Sequence, residues 1–311
     1  MKYPHPRMLV YIAMADAYAL AVEYVDPKAF PDLFHQASLF QEYLSHPVLH
    51  QEPGIYSDDT EMSVANAQVL IEYQAPFTPL MFANAYVRQF RLGGQRKGYA
   101  RHFQAFLEKT QSGQEFLNMI NSHSDKNGAA MRSVPLGVLP SVKSVLNASA
   151  MQVLLTHATP AGIFSAQCVA LMSHFALYED ASFSRLHEYL MAHLPEQEKW
   201  IQKMQEPWSG PVINRKDHGG EGVGINTVHA VYHLLVRGHS LMDIMKTLIL
   251  FGGDTDSVAA IAWGIASVRM KQERLPSFLE TYLEPGNPGV GKDYLQLIGT
   301  KLMAKYAFCT V

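Results

Sequence analysis

The feature that most constrains the fold is a hexapeptide, Gly252-Gly253-Asp254-Thr255-Asp256-Ser257, which opens directly onto the apolar run Val258–Met270. Residues two apart inside a helix project to nearly opposite sides, so Asp254 and Asp256 cannot share a ligand from within one. At a helix entrance the chain is still turning, and Gly253 with a capping carboxylate lets the two converge. Far upstream, Ser57-Asp58-Asp59-Thr60, followed by Glu61, places the same chemistry before another helical pattern. Carboxylates drawn together from both stretches would repel and raise one another's pKa unless cations lay among them. An oxygen-only set of Ser57, Asp58, Asp59, Asp254, Asp256 and Ser257 implies two hard divalent cations, Mg²⁺ or Mn²⁺, with water completing each shell. Either stretch alone reads equally as a helix cap, with Asp58 and Glu61 forming a capping box. A cation at a helix N-terminus also opposes the macrodipole, which the concentration of anionic ligands must outweigh.

Ser-Asp-Asp-Thr near the front and Gly-Gly-Asp-Thr-Asp-Ser near the end together resemble the paired signatures of the ADP-ribosylglycohydrolases. The resemblance extends to Ala15-Asp16 with Glu23, to Asn127-Gly128-Ala129-Ala130-Met131-Arg132 and to Thr156-His157-Ala158, in the family's order over roughly residues 8 to 270. It implies a compact all-α domain with a binuclear metal site at helix N-termini. It also implies hydrolysis of the bond from ribose C1″ of ADP-ribose to an acceptor, a protein side chain or an O-acyl group. Glu23, Asp58 and Asp256 would then be catalytic, with Asn127, Gly128, Ala129 and His157 holding the ADP portion. The chain carries Ala15 where the family usually has Gly, and Ser57 and Ser257 where it commonly has Thr; either hydroxyl can ligate a hard cation. The setting that marks the arginine-specific branch is missing, and Arg96-Lys97-Gly98-Tyr99 resembles the branch acting on O-linked ADP-ribose. The family also includes lens crystallins, so a binding protein without turnover is one alternative, and a hydrolase of another ADP-ribose-containing nucleotide is a second.

With 48% hydrophobic and 17% charged residues, the chain has the composition of a soluble globular protein. A net charge of −3, with Lys and Arg dispersed, gives no electrostatic case for nucleic acid. Two cysteines, Cys168 and Cys309, argue against a disulfide framework and fit a reducing compartment. Asp16 and Glu23 interrupt or end the apolar stretch near the N-terminus, and no small-residue cleavage site follows it. Val258–Val268 is too short to span a bilayer. A cytoplasmic location, without membrane contact, is the expectation.

Residues 7–24 read as a helix apolar nearly all round, hence buried and central. Asp16 within it needs a partner; a neighbouring helix end is the plain one. The Pro-punctuated connection from Val25 to Ser57, with a helical patch near 37–44, leads from Glu23 to the first acidic motif and suits a lid. Helices are expected near 59–73, 79–91 and 98–109. Between Gln74 and Leu107 no Asp or Glu occurs, while Arg88, Arg91, Arg96, Lys97 and Arg101 do; this is a solvated basic face or an attraction for pyrophosphate. Small residues at 128–130 allow close backbone approach to phosphate, and Arg132 reads as a ligand residue or as an anchor for its loop. His157 falls where a helix from about Met151 ends and another begins at Pro160. His174, His229, His233 and His239 read as structural. Helices are expected near 160–178, 182–193 and 195–205. Pro207–Gly224 is too rich in glycine for regular structure and precedes helices near 226–237, 240–251, 254–274, 276–283 and 291–306. No alternating strand pattern and no composition break divides residues 1–311, so one domain is expected.

Overall fold

A computed structural model describes residues 1–49, 51–218, 220–270, 274–286 and 289–307. Among the described residues the regular structure is helical, and β pairing is confined to isolated bridges. The first half contains α1 (Met8–Ala19), α2 (Pro31–Leu39), α3 (Asp58–Glu72), α4 (Pro79–Leu92), α5 (Arg101–Lys109), α6 (Gly113–Met119), α7 (Gly128–Met131) and α8 (Val142–Val153). The second contains α9 (Pro160–Tyr178), α10 (Leu186–His193), α11 (Glu198–Lys203), α12 (Val223–Arg237), α13 (Leu241–Phe251), α14 (Thr255–Met270), α15 (Phe278–Thr281) and α16 (Gly291–Tyr306). Short 3₁₀ segments join several of them.

α1 has no polar face, and every one of its residues is buried, as an all-round apolar helix requires. It packs along α14, whose buried run extends from Thr255 to Val268. The pair meets at Gly264, where a Cβ would stand 2.6 Å from Ile12 Cγ1. α3 buries Asp59 through Leu70 and touches both. These three helices form the centre, and α4, α9, α12, α13 and α16 pack around them. Both acidic motifs therefore open helices that belong to the core, which holds their first turns rigidly.

α9 is long and apolar enough to cross a membrane by length and composition, with a mean hydropathy of 1.3. Ser165, Gln167, Ser173 and His174 interrupt its apolar run, so no long uninterrupted stretch marks it in the sequence. In the fold 78% of that window is buried among the other helices.

Several boundaries differ from expectation for identifiable reasons. The opening helix stops at Ala19, tightens to 3₁₀ over Leu20–Val22 and leaves helical geometry at Glu23, with ψ 122°. Past that point the Tyr24 N–H donates to the Gly253 carbonyl, while the Val25 N–H turns back to Val22. Pro31 opens α2 rather than breaking it, since its fixed φ suits a first helical position. α8 begins at Val142, well before Met151, because the Ser141 hydroxyl accepts the Ser144 N–H and starts the helix there. α6 and α7 are too short to show a period in the sequence. The expected continuation of α14 toward Arg274 enters residues 271–273, which, like Gly219 and Cys309, lie outside the described residues. Cys168 is fully buried in α9, and burial raises its thiol pKa, the reverse of what a reactive thiol needs.

Candidate metal centre and substrate cleft

The first half of the site is built on α3 with help from α1. Ser57 is the N-cap, extended at φ −92° and ψ −165°, and its Oγ accepts the Asp59 N–H at 3.1 Å. Asp16, from the middle of α1, accepts the Ser57 N–H at 3.0 Å, the Thr60 N–H at 3.1 Å and the Thr60 hydroxyl at 2.6 Å. These bonds satisfy N–H groups that a helix start leaves without intrahelical partners. They are the helix-end partner expected for a carboxylate on an apolar helix. Burial pushes the Asp16 pKa up to about 6, opposed by the hydrogen bonds from Thr60 and Ser57.

The capping box expected of Asp58 and Glu61 does not form. Glu61 turns away to the Arg96 Nε at 2.8 Å and the Tyr99 hydroxyl at 2.6 Å. Arg96 also pairs with Glu284 and stacks over the Tyr56 ring at 4.3 Å. Its side chain is only 8% exposed, so it belongs neither to a solvated face nor to a phosphate site. Arg88 pairs with Glu72, and Arg91 donates to the Thr110 carbonyl. Arg96 and Tyr99, the ends of the Arg96-Lys97-Gly98-Tyr99 stretch, thus have a structural task.

The second half forms where α13 turns into α14. Gly252 and Gly253 adopt φ of +70° and +79°, a region open to glycine at little cost. A Cβ on Gly253 would meet the Val212 carbonyl at 2.3 Å. The two chains pair there: the Val212 N–H donates to the Gly252 carbonyl and the Asp254 N–H to the Val212 carbonyl, both at 2.9 Å. The glycine-rich connection therefore buttresses the acidic motif from behind. Thr255 Oγ1 donates to the Ala19 carbonyl at 2.9 Å, tying the motif to the end of α1. From that end the chain runs on to Glu23 and Tyr24. The Tyr24 N–H donates to the Gly253 carbonyl at 2.8 Å, and its hydroxyl to Asp254 Oδ2 at 3.0 Å.

The two motifs meet. Carboxylate oxygens of Glu23, Asp254 and Asp256 lie within 4.8 Å of one another. Burial is the first cause raising the pKa of Asp58, Asp59, Asp254 and Asp256 above the ordinary carboxylate range. Mutual repulsion follows: Asp256 feels Glu23 and Asp59, and Asp58 and Asp59 both feel Asp254. Hydrogen bonding from Ser257 opposes the rise at Asp59 and Asp254, which puts that hydroxyl between the motifs. Glu23 is pushed well up by burial, then by Asp254 and Asp58. Asp59 Oδ1 and Asp256 Oδ1 are buried with no hydrogen-bond partner among the described residues. Anionic acceptors left unsatisfied in the interior are costly, and an all-oxygen set of this kind fits a hard divalent cation.

Three of the residues expected to hold the ADP portion, Asn127, Gly128 and His157, lie together beside the acidic cluster. Asn127 stands at the N-cap position of α7 without a side-chain cap bond, donates to Thr227 Oγ1 at 3.3 Å, and lies close enough to Asp254 for its amide to oppose the rise in that carboxyl's pKa. Gly128 lies against His157, whose Cε1 would stand 3.0 Å from a Cβ. Arg132 Nη2 donates to Thr156 Oγ1 at 2.7 Å, and the same oxygen lies 2.6 Å from His157 Nδ1, which ties the ring to the Arg132 anchor. Burial and the Arg132 charge hold the His157 pKa well below 6.5, keeping it neutral. Arg132 is a buried anchor bonded to Gln152 and stacked over Tyr86. Ala129 is fully buried, and its carbonyl accepts from Ser133 and Gln152. Its part is packing, not ligand contact. His174, His229 and His233 each bond a backbone group, as structural residues do.

Sequence reasoning missed two residues here. Tyr24 follows Glu23 directly, yet nothing in the sequence points it at Asp254. His46 lies in the Pro-punctuated connection and bonds the Glu23 carbonyl; a lone His beside Pro47 carries no signal of that.

An ADP-ribosylglycohydrolase family profile matches residues 8–307. The chain is similar to the ADP-ribosylhydrolase ARH3 of Xenopus tropicalis, 26% identical over 266 residues that cover 71% of this chain and 75% of that one. The corresponding mouse protein, from Mus musculus, is also 26% identical, over 71% of each chain. A solved structure described as an ADP-ribosylglycohydrolase-related protein complex superposes with a TM-score of 0.72 over 96% of both chains at 20% identity, which shows a shared fold.

Proposed function

The chain belongs to the ADP-ribosylglycohydrolase family, and from that premise we propose that its acidic cleft releases ADP-ribose from an acceptor by hydrolysis at ribose C1″. The observation that carries this reading is the convergence of Glu23, Asp254 and Asp256, with the unpartnered Oδ1 atoms of Asp59 and Asp256. Ser57, Asp58, Asp59, Asp254, Asp256 and Ser257 would hold two divalent cations, Mg²⁺ or Mn²⁺, which supply positive charge for the distal ribose hydroxyls and a more acidic water.

The protein's own residues do the rest. Cleavage breaks the C1″ bond to nitrogen or oxygen, passes through an oxocarbenium-like state and adds water. Glu23, whose carboxyl keeps its proton above the usual range, is placed to give that proton to the departing acceptor atom or to orient it. Asp58 and Asp256 hold negative charge beside the carbon as it becomes positive. Neutral His157 offers its Nε2, and the α7 start beside Asn127 and Gly128 offers N–H groups, toward the diphosphate. Binding energy gathered there fixes the reacting carbon at the acidic end. The partner is an ADP-ribosylated protein or a small ADP-ribose conjugate.

The test is incubation with serine-linked, arginine-linked and O-acetyl-linked ADP-ribose, with Mg²⁺, with Mn²⁺ and with chelator, following free ADP-ribose. Cation-dependent release from at least one linkage supports the reading. Binding of ADP-ribose without release from any of them would identify a non-catalytic relative, and release undiminished by chelator would remove the cation chemistry.

A further inference from the structure

The Glu23–Tyr24 peptide is gripped at both ends by segments that are remote in sequence. Its N–H, on Tyr24, donates to the Gly253 carbonyl at 2.8 Å. Its carbonyl, on Glu23, lies 2.8 Å from His46 Nε2. The other His46 nitrogen, Nδ1, accepts two backbone N–H groups, from Val48 at 3.1 Å and from Leu49 at 2.9 Å. A nitrogen that accepts twice carries no proton, so the ring proton sits on Nε2 and is donated to Glu23. The imidazole is 7% exposed, so it is a built contact and not a passing one.

Two features show that the Glu23 peptide needs holding. The helix ends with the Glu23 N–H donating to the Leu20 carbonyl, and among the described residues neither the Glu23 carbonyl nor the Tyr24 N–H has a partner in that helix. Tyr24 sits at φ +50°, in the left-handed region that a tyrosine seldom adopts. Both the Glu23 side chain and the Tyr24 side chain reach the Asp254 end of the acidic cluster.

We propose that His46 is a positioning residue for Glu23: its Nε2–H anchors the Glu23 carbonyl and so fixes where the Glu23 carboxyl stands relative to Asp254 and Asp256. The inference rests on the hydrolase reading for its effect on turnover, but the anchoring itself does not. His46 touches no reacting atom. Its two nitrogens have separable tasks, Nδ1 shaping the 46–49 turn and Nε2 holding Glu23.

That separation supplies the experiment, done on the full chain with saturating Mg²⁺ or Mn²⁺. In His46→Asn the Oδ1 atom occupies nearly the place of Nδ1 and can still accept the Val48 and Leu49 N–H groups, as asparagine does in turns. Nothing then reaches Glu23. In His46→Gln the terminal amide nitrogen reaches nearly as far as Nε2 and can donate to Glu23, while the turn loses its acceptor. The expectation for His46→Asn is a kcat lowered about tenfold, the loss of roughly one charge-free positioning bond, with KM within about twofold. His46→Gln recovers most of that kcat although it melts at a lower temperature. Amide hydrogen exchange is read in parallel, without substrate, on the peptide containing Tyr24. It should quicken in His46→Asn and stay protected in His46→Gln. A His46→Asn protein with wild-type kcat and wild-type exchange would overturn the proposal, as would losses in both variants that merely follow their melting temperatures. A wild-type protein with no turnover on any linkage would end the hydrolase reading, and the exchange data would still decide whether His46 anchors this peptide.

Discussion

The Tyr24 hydroxyl donates to Asp254 Oδ2 at 3.0 Å, joining residues 230 positions apart. Tyr24 belongs to the segment that delivers Glu23, and Asp254 to the second acidic motif. One hydrogen bond therefore registers the candidate acid against a candidate cation ligand.

Tyr24→Phe keeps the ring and removes that bond. A hydrogen bond to a charged acceptor contributes about 1.5–3 kcal/mol, so turnover should fall roughly tenfold or more. The melting temperature should fall by only a few degrees, since Tyr24 is 56% exposed and the bond lies at the low end of that range. Steady-state kinetics beside a thermal melt checks both halves.

Asp16 is expected to act through stability. Asp16→Ala would strand the Ser57 and Thr60 N–H groups and the Thr60 hydroxyl in the interior. Buried donors left unpaired cost ~1–3 kcal/mol each, without full additivity, so a loss of about 3–4 kcal/mol in denaturant unfolding is expected. Asp16→Asn, which keeps one acceptor oxygen, should lose clearly less. Equal losses would mean that the capping bonds contribute little.

The acidic cluster sets a pH dependence whose sign follows from its raised pKa values. Carboxyls whose folded pKa exceeds the unfolded one contribute stability that is fully present below the unfolded value and is lost as pH rises through the folded value. Glu23, Asp58, Asp59, Asp254 and Asp256 all shift upward. Their contribution to the metal-free protein is thus strongest in acid and disappears toward and above neutrality. Cations compete with those protons, so the melting shift from added Mg²⁺ or Mn²⁺ should grow from about pH 5 to pH 8, spanning the free-carboxylate range and above. At a hundredfold excess over Kd the gain is about 2.7 kcal/mol, about 4 °C for a domain of this size. Asp256→Asn should raise the metal-free melting temperature, shrink the cation shift and abolish most turnover. A cation shift independent of pH would contradict the assignment.

Arg96 neutralises the buried Glu61 and the partly buried Glu284. Arg96→Met leaves both without their cation, which costs ~3–5 kcal/mol for a broken buried pair. Adding Glu61→Gln should restore part of the loss, because one of the stranded charges is then gone. Equilibrium unfolding of the single and double variants measures the coupling.

The sequence by itself determined the helical class, the central helices and both acidic motifs. Those rest on local physics: the all-round apolar character of 8–19, the Asp-rich openings before apolar runs, and glycine where the chain must turn at 252–253. That the two motifs meet was expected from their shared carboxylate chemistry and the family resemblance, not from the helix patterns. Only the tertiary structure decided the partners. It gave Asp16 to the α3 start, Glu61 to Arg96, Tyr24 to Asp254 and His46 to Glu23, and it turned Ala129 into packing. Such pairings depend on where distant backbone groups come to lie once the helices have packed. A polar side chain has reach and chemistry in any sequence, but its partner exists only after the fold has brought one within about three ångströms.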